Sequence, residues 1–138
     1  MIIIFICVAN SARSQMAEGL TRQSAPPGVE VYSAGSKPGT LNPYAVRVLR
    51  ELDIDIAHHR PKGFDNVPIA MADFIITLCA EEECPYVASA ARRLSWAMPD
   101  PAAGAGDEQA KLAAFRTTRD DILGRLQEFW SVNTGMPT

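Results

Sequence analysis

The chain has 138 residues, enough for one domain, and 47% hydrophobic against 21% charged content supplies a core to bury, which sets intrinsic disorder aside. A formal net charge of −3 and a pI near 5.3, with no lysine-arginine cluster on an amphipathic stretch, exclude the basic footprint of a nucleic-acid binder and point to a small solute. Three cysteines leave one unpaired in any intramolecular scheme, so free thiols in a reducing, cytoplasmic setting are expected rather than a secreted scaffold.

Residues 1–9 are apolar, but no basic residue leads them and they are short for a signal-peptide core, so they read as a buried strand. No run of about 18 apolar residues follows, and no membrane span is expected. Residues 2–6, Ile-Ile-Ile-Phe-Ile, are a continuous apolar run suited to a strand covered on both faces of a parallel sheet. Residues 14–24 carry Met16, Ala17 and Leu20 at helical spacing, and Pro26-Pro27-Gly28 ends that helix. A second strand is expected over residues 29–33, then a loop over 35–39. Asn42 and Pro43 follow as N-cap and first position of a helix that turns Val46, Leu49 and Leu52 inward. Residues 73–79 and 93–98 supply a third and a fourth strand. Leu112, Phe115, Ile122, Leu126 and Phe129 mark an amphipathic helix over residues 109–130.

Strands alternating with helices predict a single α/β domain over residues 1–130, an open four-stranded parallel sheet flanked by helices, with residues 131–138 as a poorly ordered tail. In such sheets ligands bind beyond the carboxyl ends of the strands, where Cys7, Cys79 and Asp100 fall. The segment Cys7-Val8-Ala9-Asn10-Ser11-Ala12-Arg13-Ser14 joins a buried strand to a helix start, where free N–H groups and the helix dipole favour an anion. Small residues let the backbone curl into a nest, and Arg13 adds a planar fork for two oxygens. The same field favours the thiolate of Cys7, the expected nucleophile, and Ser14 can donate to its sulfur. A cysteine at a strand end is also a common small hydrophobe, and a loop of this kind could hold an oxyanion without chemistry.

These residues resemble the low-molecular-weight protein tyrosine phosphatase superfamily and, within it, the thioredoxin-coupled arsenate reductases. The likeness runs from CVANSARSQMAEG at residues 7–19 through VYSAG at 31–35, Asn42-Pro43, TLC at 77–79 and Asp100-Pro101. It implies a relay: Cys7 attacks arsenate, Cys79 attacks the Cys7 adduct to release arsenite, Cys84 captures Cys79 as a disulfide, and thioredoxin reduces that pair. Asp100 is implied as the general acid on the leaving oxygen, and phosphate or sulfate are implied as alternative occupants of the loop. Cys79 and Cys84 stand closer together than the family pattern has them, with three glutamates between them.

The rival activity is phosphomonoester hydrolysis through a phosphocysteine. The phosphatases typically place an aromatic after the Asp-Pro pair, and Ala102-Ala103-Gly104 follow here. Some reductases of this type hold potassium with an Asn of the loop, a Glu of the first helix, a Ser after the second strand and an Asp. Asn10, Glu18 and Ser33 match, but Lys62 takes the place of the Asp, so no potassium dependence is expected. His58 and His59 adjoin each other without ligand spacing to the cysteines, and no metal site or other cofactor is expected. The chain is expected to act as a monomer.

Overall fold

The computed structural model describes residues 1–80 and 84–134, with the side chain of Thr134 set aside. Strand β1 spans Ile2–Cys7, β2 Glu30–Gly35, β3 Phe74–Thr77 and β4 Arg92–Ser95. The helices are α1, Arg13–Ser24, α2, Pro43–Arg50, and α3, Glu108–Thr134. The four strands are parallel in the order β2-β1-β3-β4.

β1 is central because its sequence can be covered on both faces: Ile3, Ile4, Phe5 and Ile6 are fully buried. At about 1.5–3 kcal/mol for each such side chain, the strand contributes roughly 6–12 kcal/mol of apolar burial. Its carboxyl end is therefore a rigid base. Ile3 and Phe5 face the larger core with all three helices, including Met16 and Leu20 of α1, Val48 and Leu49 of α2, and Phe115 and Ile122 of α3. Ile4 and Ile6 face a smaller core closed by Val67, Ile69, Val87 and Ala91. The helices thus gather on one face, and short 3₁₀ turns at Phe64–Asn66 and Ile69–Met71, together with residues 84–91, cover the other.

The parallel sheet of the sequence reading is present, with differences in detail. The third strand ends at Thr77, so Cys79 lies past it, and the fourth begins at Arg92 and stops at Ser95. α2 buries Ala45, Val48 and Leu49, whereas Val46 is half-buried and Leu52 is 38% exposed. The helix is only eight residues long, and Asp53 reverses the chain at φ 61°, so Leu52 falls in a turn rather than on the inward stripe. Asn42 caps α2 as expected, its Oδ1 accepting from the Tyr44 N–H at 2.8 Å, with Pro43 at the first position. α3 continues to Thr134, past the boundary drawn from the sequence at residue 130. Residues 135–138, the rest of the expected tail, lie outside the described residues.

Candidate active site

β1 delivers Cys7 to the carboxyl edge of the sheet, paired with Gly35 of β2. The next residues make a tight turn into α1, and their carbonyls are already engaged. Those of Val8, Ala9 and Ser11 accept from the N–H groups of Lys37, Gly39 and Asn42, each at 2.9 Å. In a planar trans peptide the N–H points opposite its carbonyl, so the N–H groups of Ala9, Asn10 and Ala12 turn toward the inside of the loop. The N–H of Asn10 meets the Cys7 sulfur at 3.2 Å. Arg13 opens α1 and donates from Nη1 to the carbonyls of Leu78 at 3.3 Å and Met98 at 3.1 Å, which fixes the guanidinium against the ends of β3 and β4. Cys7, Val8, Ala9, Ser11, Ala12, Arg13 and Asp100 line a cavity of about 220 Å³.

Cys7 is 3% exposed, and its sulfur is unbonded to another sulfur. Ser14 Oγ lies 2.8 Å from it. That hydroxyl accepts from Asn10 Nδ2 at 2.8 Å and keeps a proton that can be donated to the Cys7 sulfur. Asp100 is half-buried across the cavity, its Oδ1 accepting from the Ala102 N–H at 2.9 Å. Beyond the end of β3, Cys79 is 5% exposed and forms a disulfide with the exposed Cys84, with 5.5 Å between their Cα atoms. β1 and β3 are neighbours, with Ile6 paired to Thr77, so Cys7 and Cys79 leave adjacent strands one residue out of step. The three glutamates between Cys79 and Cys84 lie outside the described residues.

Gln15, not singled out in the sequence, joins Asn10, His59 and Lys62 in holding the loop in shape. Asn10 is fully buried at φ 51°, a left-handed backbone that an asparagine tolerates when its side chain is bonded locally. Its Oδ1 accepts from Gln15 Nε2 at 3.0 Å and from the Lys62 N–H at 2.8 Å. Gln15 Oε1 faces His59 Nδ1 at 3.0 Å, so with the Gln15 amide nitrogen donating to Asn10, His59 carries its proton on Nδ1. His58 is exposed, whereas the His59 side chain is 6% exposed and bonded to residues distant in sequence. Burial pushes the His59 imidazole below the usual histidine range, against the pull of Glu18.

Glu18 is the charge at the centre of this support. Its carboxylate meets His59 Nδ1 at 3.3 Å, Arg22 Nη1 at 3.3 Å and Lys62 Nζ at 3.7 Å, and it accepts from Ser33 Oγ at 2.9 Å. A potassium ion would need these oxygens facing an open centre. Instead Asn10 Oδ1 already holds two donors, Ser33 is turned to Glu18, and an ammonium stands beside the carboxylate. The residues do not fit the cation. Among the described residues no group of three His, Cys, Asp or Glu side chains is placed to hold a metal, and no helix is long and apolar enough to cross a membrane.

A parallel α/β sheet that ends a central strand in a cysteine, ringed by inward N–H groups and an arginine, defines an enzyme built to receive a tetrahedral oxyanion on a thiol. The chain belongs to the low molecular weight phosphotyrosine protein phosphatase family, whose model matches residues 2–133. Among its relatives, an arsenate reductase of Bacillus subtilis (strain 168) is 42% identical over 130 residues, covering 93% of this chain and 94% of the relative. A structure described as an arsenate reductase in the phosphate binding state superposes with a TM-score of 0.78 at 27% identity, covering 95% of this chain and 97% of the other. A thioredoxin-dependent arsenate reductase of Corynebacterium glutamicum gives 0.71 at 28% identity, covering 95% of this chain and 60% of the other.

Proposed function

We propose that this chain reduces arsenate to arsenite through three successive thiols and is returned to its starting state by thioredoxin. The observation that carries the reading is the sulfur inventory: Cys7 free within the oxyanion loop, Cys79 and Cys84 joined at the end of the adjacent strand. That is the arrangement left after one turnover of such a relay. The Cys7 thiolate attacks arsenic and an arsenate oxygen leaves as water, with Asp100 supplying a proton. Cys79 thiolate then attacks the Cys7 sulfur, the S–As bond breaks, and its electron pair stays on arsenic, which departs as arsenite. Cys84 attacks Cys79, freeing Cys7 as a thiolate and moving the disulfide to the surface. A thioredoxin dithiol supplies the two electrons that reopen it.

The cavity supports this substrate over an aryl phosphate. No aromatic side chain stands among its lining residues, and about 220 Å³ suits a small tetrahedral anion. Phosphate is near-isosteric with arsenate, so slow phosphomonoester hydrolysis is a minor reaction of the same loop. The test is NADPH consumption with thioredoxin and thioredoxin reductase. Wild type reduced beforehand should sustain NADPH consumption only when arsenate is added, and Cys79→Ser and Cys84→Ser should lose multiple turnover. Thiol mass spectrometry after arsenate exposure should find the Cys79–Cys84 pair in wild type. Turnover by either variant at the wild-type rate sinks the relay, and rapid aryl phosphate hydrolysis with indifference to arsenate favours the phosphatase.

Lys62 serves this reading as a built-in cation. Its ammonium faces Glu18 while its backbone N–H holds Asn10, so one residue fills the space and braces the loop. Exchanging potassium chloride for tetramethylammonium chloride at equal ionic strength should leave both the melting temperature and the arsenate rate of wild type unchanged. Lys62→Met should lower the melting temperature by several degrees, since it leaves a buried carboxylate short of one partner. A wild-type melting temperature that rises with potassium alone would contradict this.

A further inference from the structure

We propose that Tyr86, held against Arg93, is the platform on which the thioredoxin that reduces the Cys79–Cys84 disulfide docks. The inference rests on the relay just described for the identity of the partner. Tyr86 is 78% exposed, more than the other large apolar side chains among the described residues. A single exposed tyrosine is ordinary. What sets this one apart is its phase with the disulfide and its support.

From residue 84 to residue 91 exposure alternates: Cys84, Tyr86, Ala88 and Ala90 are exposed, and Pro85, Val87, Ser89 and Ala91 are half-buried. Period two is that of an extended chain, so Cys84 and Tyr86 share the outward face. Residues two apart in such a chain are separated by about 6.6 Å, within one partner footprint. The inward residues tie the segment down. Val87 and Ala91 pack on the smaller core, and Ser89 Oγ donates to the Ile69 carbonyl at 2.9 Å.

The ring itself is propped. The Arg93 guanidinium lies 4.5 Å from its centroid and is held by the carbonyls of Val87 and Ser89 through Nη2. One face of the ring is thus engaged by a cation on a fixed mount, while most of the residue's surface stays exposed. An aromatic already immobile loses little freedom when a partner covers it, which is how tyrosines become strong anchors at interfaces. The partner must bring a thiolate to the sulfur of the exposed Cys84 in line with its bond to Cys79, so its surface beside that thiolate is the one that meets Tyr86. Attack joins the incoming sulfur to Cys84 and expels Cys79 as a thiolate. The partner's second thiol then closes its own disulfide and frees Cys84.

The test uses the disulfide form as a substrate for thioredoxin, thioredoxin reductase and NADPH, with no arsenate present. Tyr86→Ser should raise the KM for the oxidised protein roughly tenfold with kcat little changed, and Arg93→Ala should move it in the same direction. Tyr86→Phe should stay near wild type, and reduction by dithiothreitol should be the same in all four proteins. An unchanged KM in Tyr86→Ser, or an equal slowing with dithiothreitol, overturns the platform. If thioredoxin reduces the disulfide with this pattern but arsenate drives no NADPH consumption, the platform stands and the arsenate reading falls.

Discussion

Replacing Cys7 with serine should abolish arsenate reduction, lowering turnover by at least about 10⁴-fold, while oxyanion binding survives. The two outcomes separate because they reside in different atoms. The groups proposed to receive the anion are the inward N–H groups of Ala9 and Ala12 together with Arg13, which the substitution leaves in place; of the inward N–H groups only that of Asn10 faces the replaced sulfur. The chemistry needs the sulfur. A serine hydroxyl in the same place is a far weaker nucleophile without a base to take its proton, and the contacts found here are Ser14 Oγ and the Asn10 N–H, neither of which is such a base. Even a first bond from oxygen to arsenic would leave Cys79 no sulfur to attack. The coupled assay reads the loss, and the shift in melting temperature with added phosphate or sulfate reads the retained binding. A Cys7→Ser protein that kept its function intact would make the loop a binding module.

The elements most legible in the sequence were those fixed by neighbours in the chain. The apolar run before Cys7 could only be a strand covered on both faces, and Asn42-Pro43 carried its helix start in two residues. The turn from Cys7 into the helix that starts at Arg13 was legible for the same reason, and the anion binding expected of it rests on that succession of strand, small residues and helix start. What escaped was set at a distance. α2 is short, and its inward face was decided by the sheet and α3 rather than by its own period. β4 is an edge strand with two arginines, so its start carried no apolar signal. The support behind the loop joins Asn10 and Gln15 to His59 and Lys62, across 44 to 52 residues of chain. One signal was present. A helix that buries Ser14, Gln15 and Glu18 as well as Met16 and Leu20 places polar side chains where they need partners, and those three residues mark the hidden network.

Gly35→Ala should be the most damaging substitution outside the reacting groups, and it tests how rigidly the loop is held. Gly35 pairs with Cys7 across the sheet, and its N–H donates to the Lys62 carbonyl at 2.9 Å. A Cβ there would stand 2.4 Å from the Val8 carbonyl oxygen and 2.9 Å from the Asn10 nitrogen. Both are backbone atoms of the oxyanion loop, so no side chain can swing aside. The Val8 carbonyl is fixed by Lys37 and the Asn10 nitrogen by the sulfur it faces, hence relief must come from shifting the loop itself. Such overpacking costs about 1–3 kcal/mol, or roughly 3–10 °C in melting temperature for a domain of this size. Activity should fall further, by about 100-fold in kcat/KM, because displacing the inward N–H groups by an ångström misplaces both anion and thiolate. Gly39→Ala is the matched control. Its Cβ would first meet the Ala9 Cβ at 3.7 Å, an ordinary contact, and the variant should stay close to wild type in both measures. If the two alanines behaved alike, the loop would be compliant, and a thiolate held in a compliant loop could not owe its reactivity to the geometry described above.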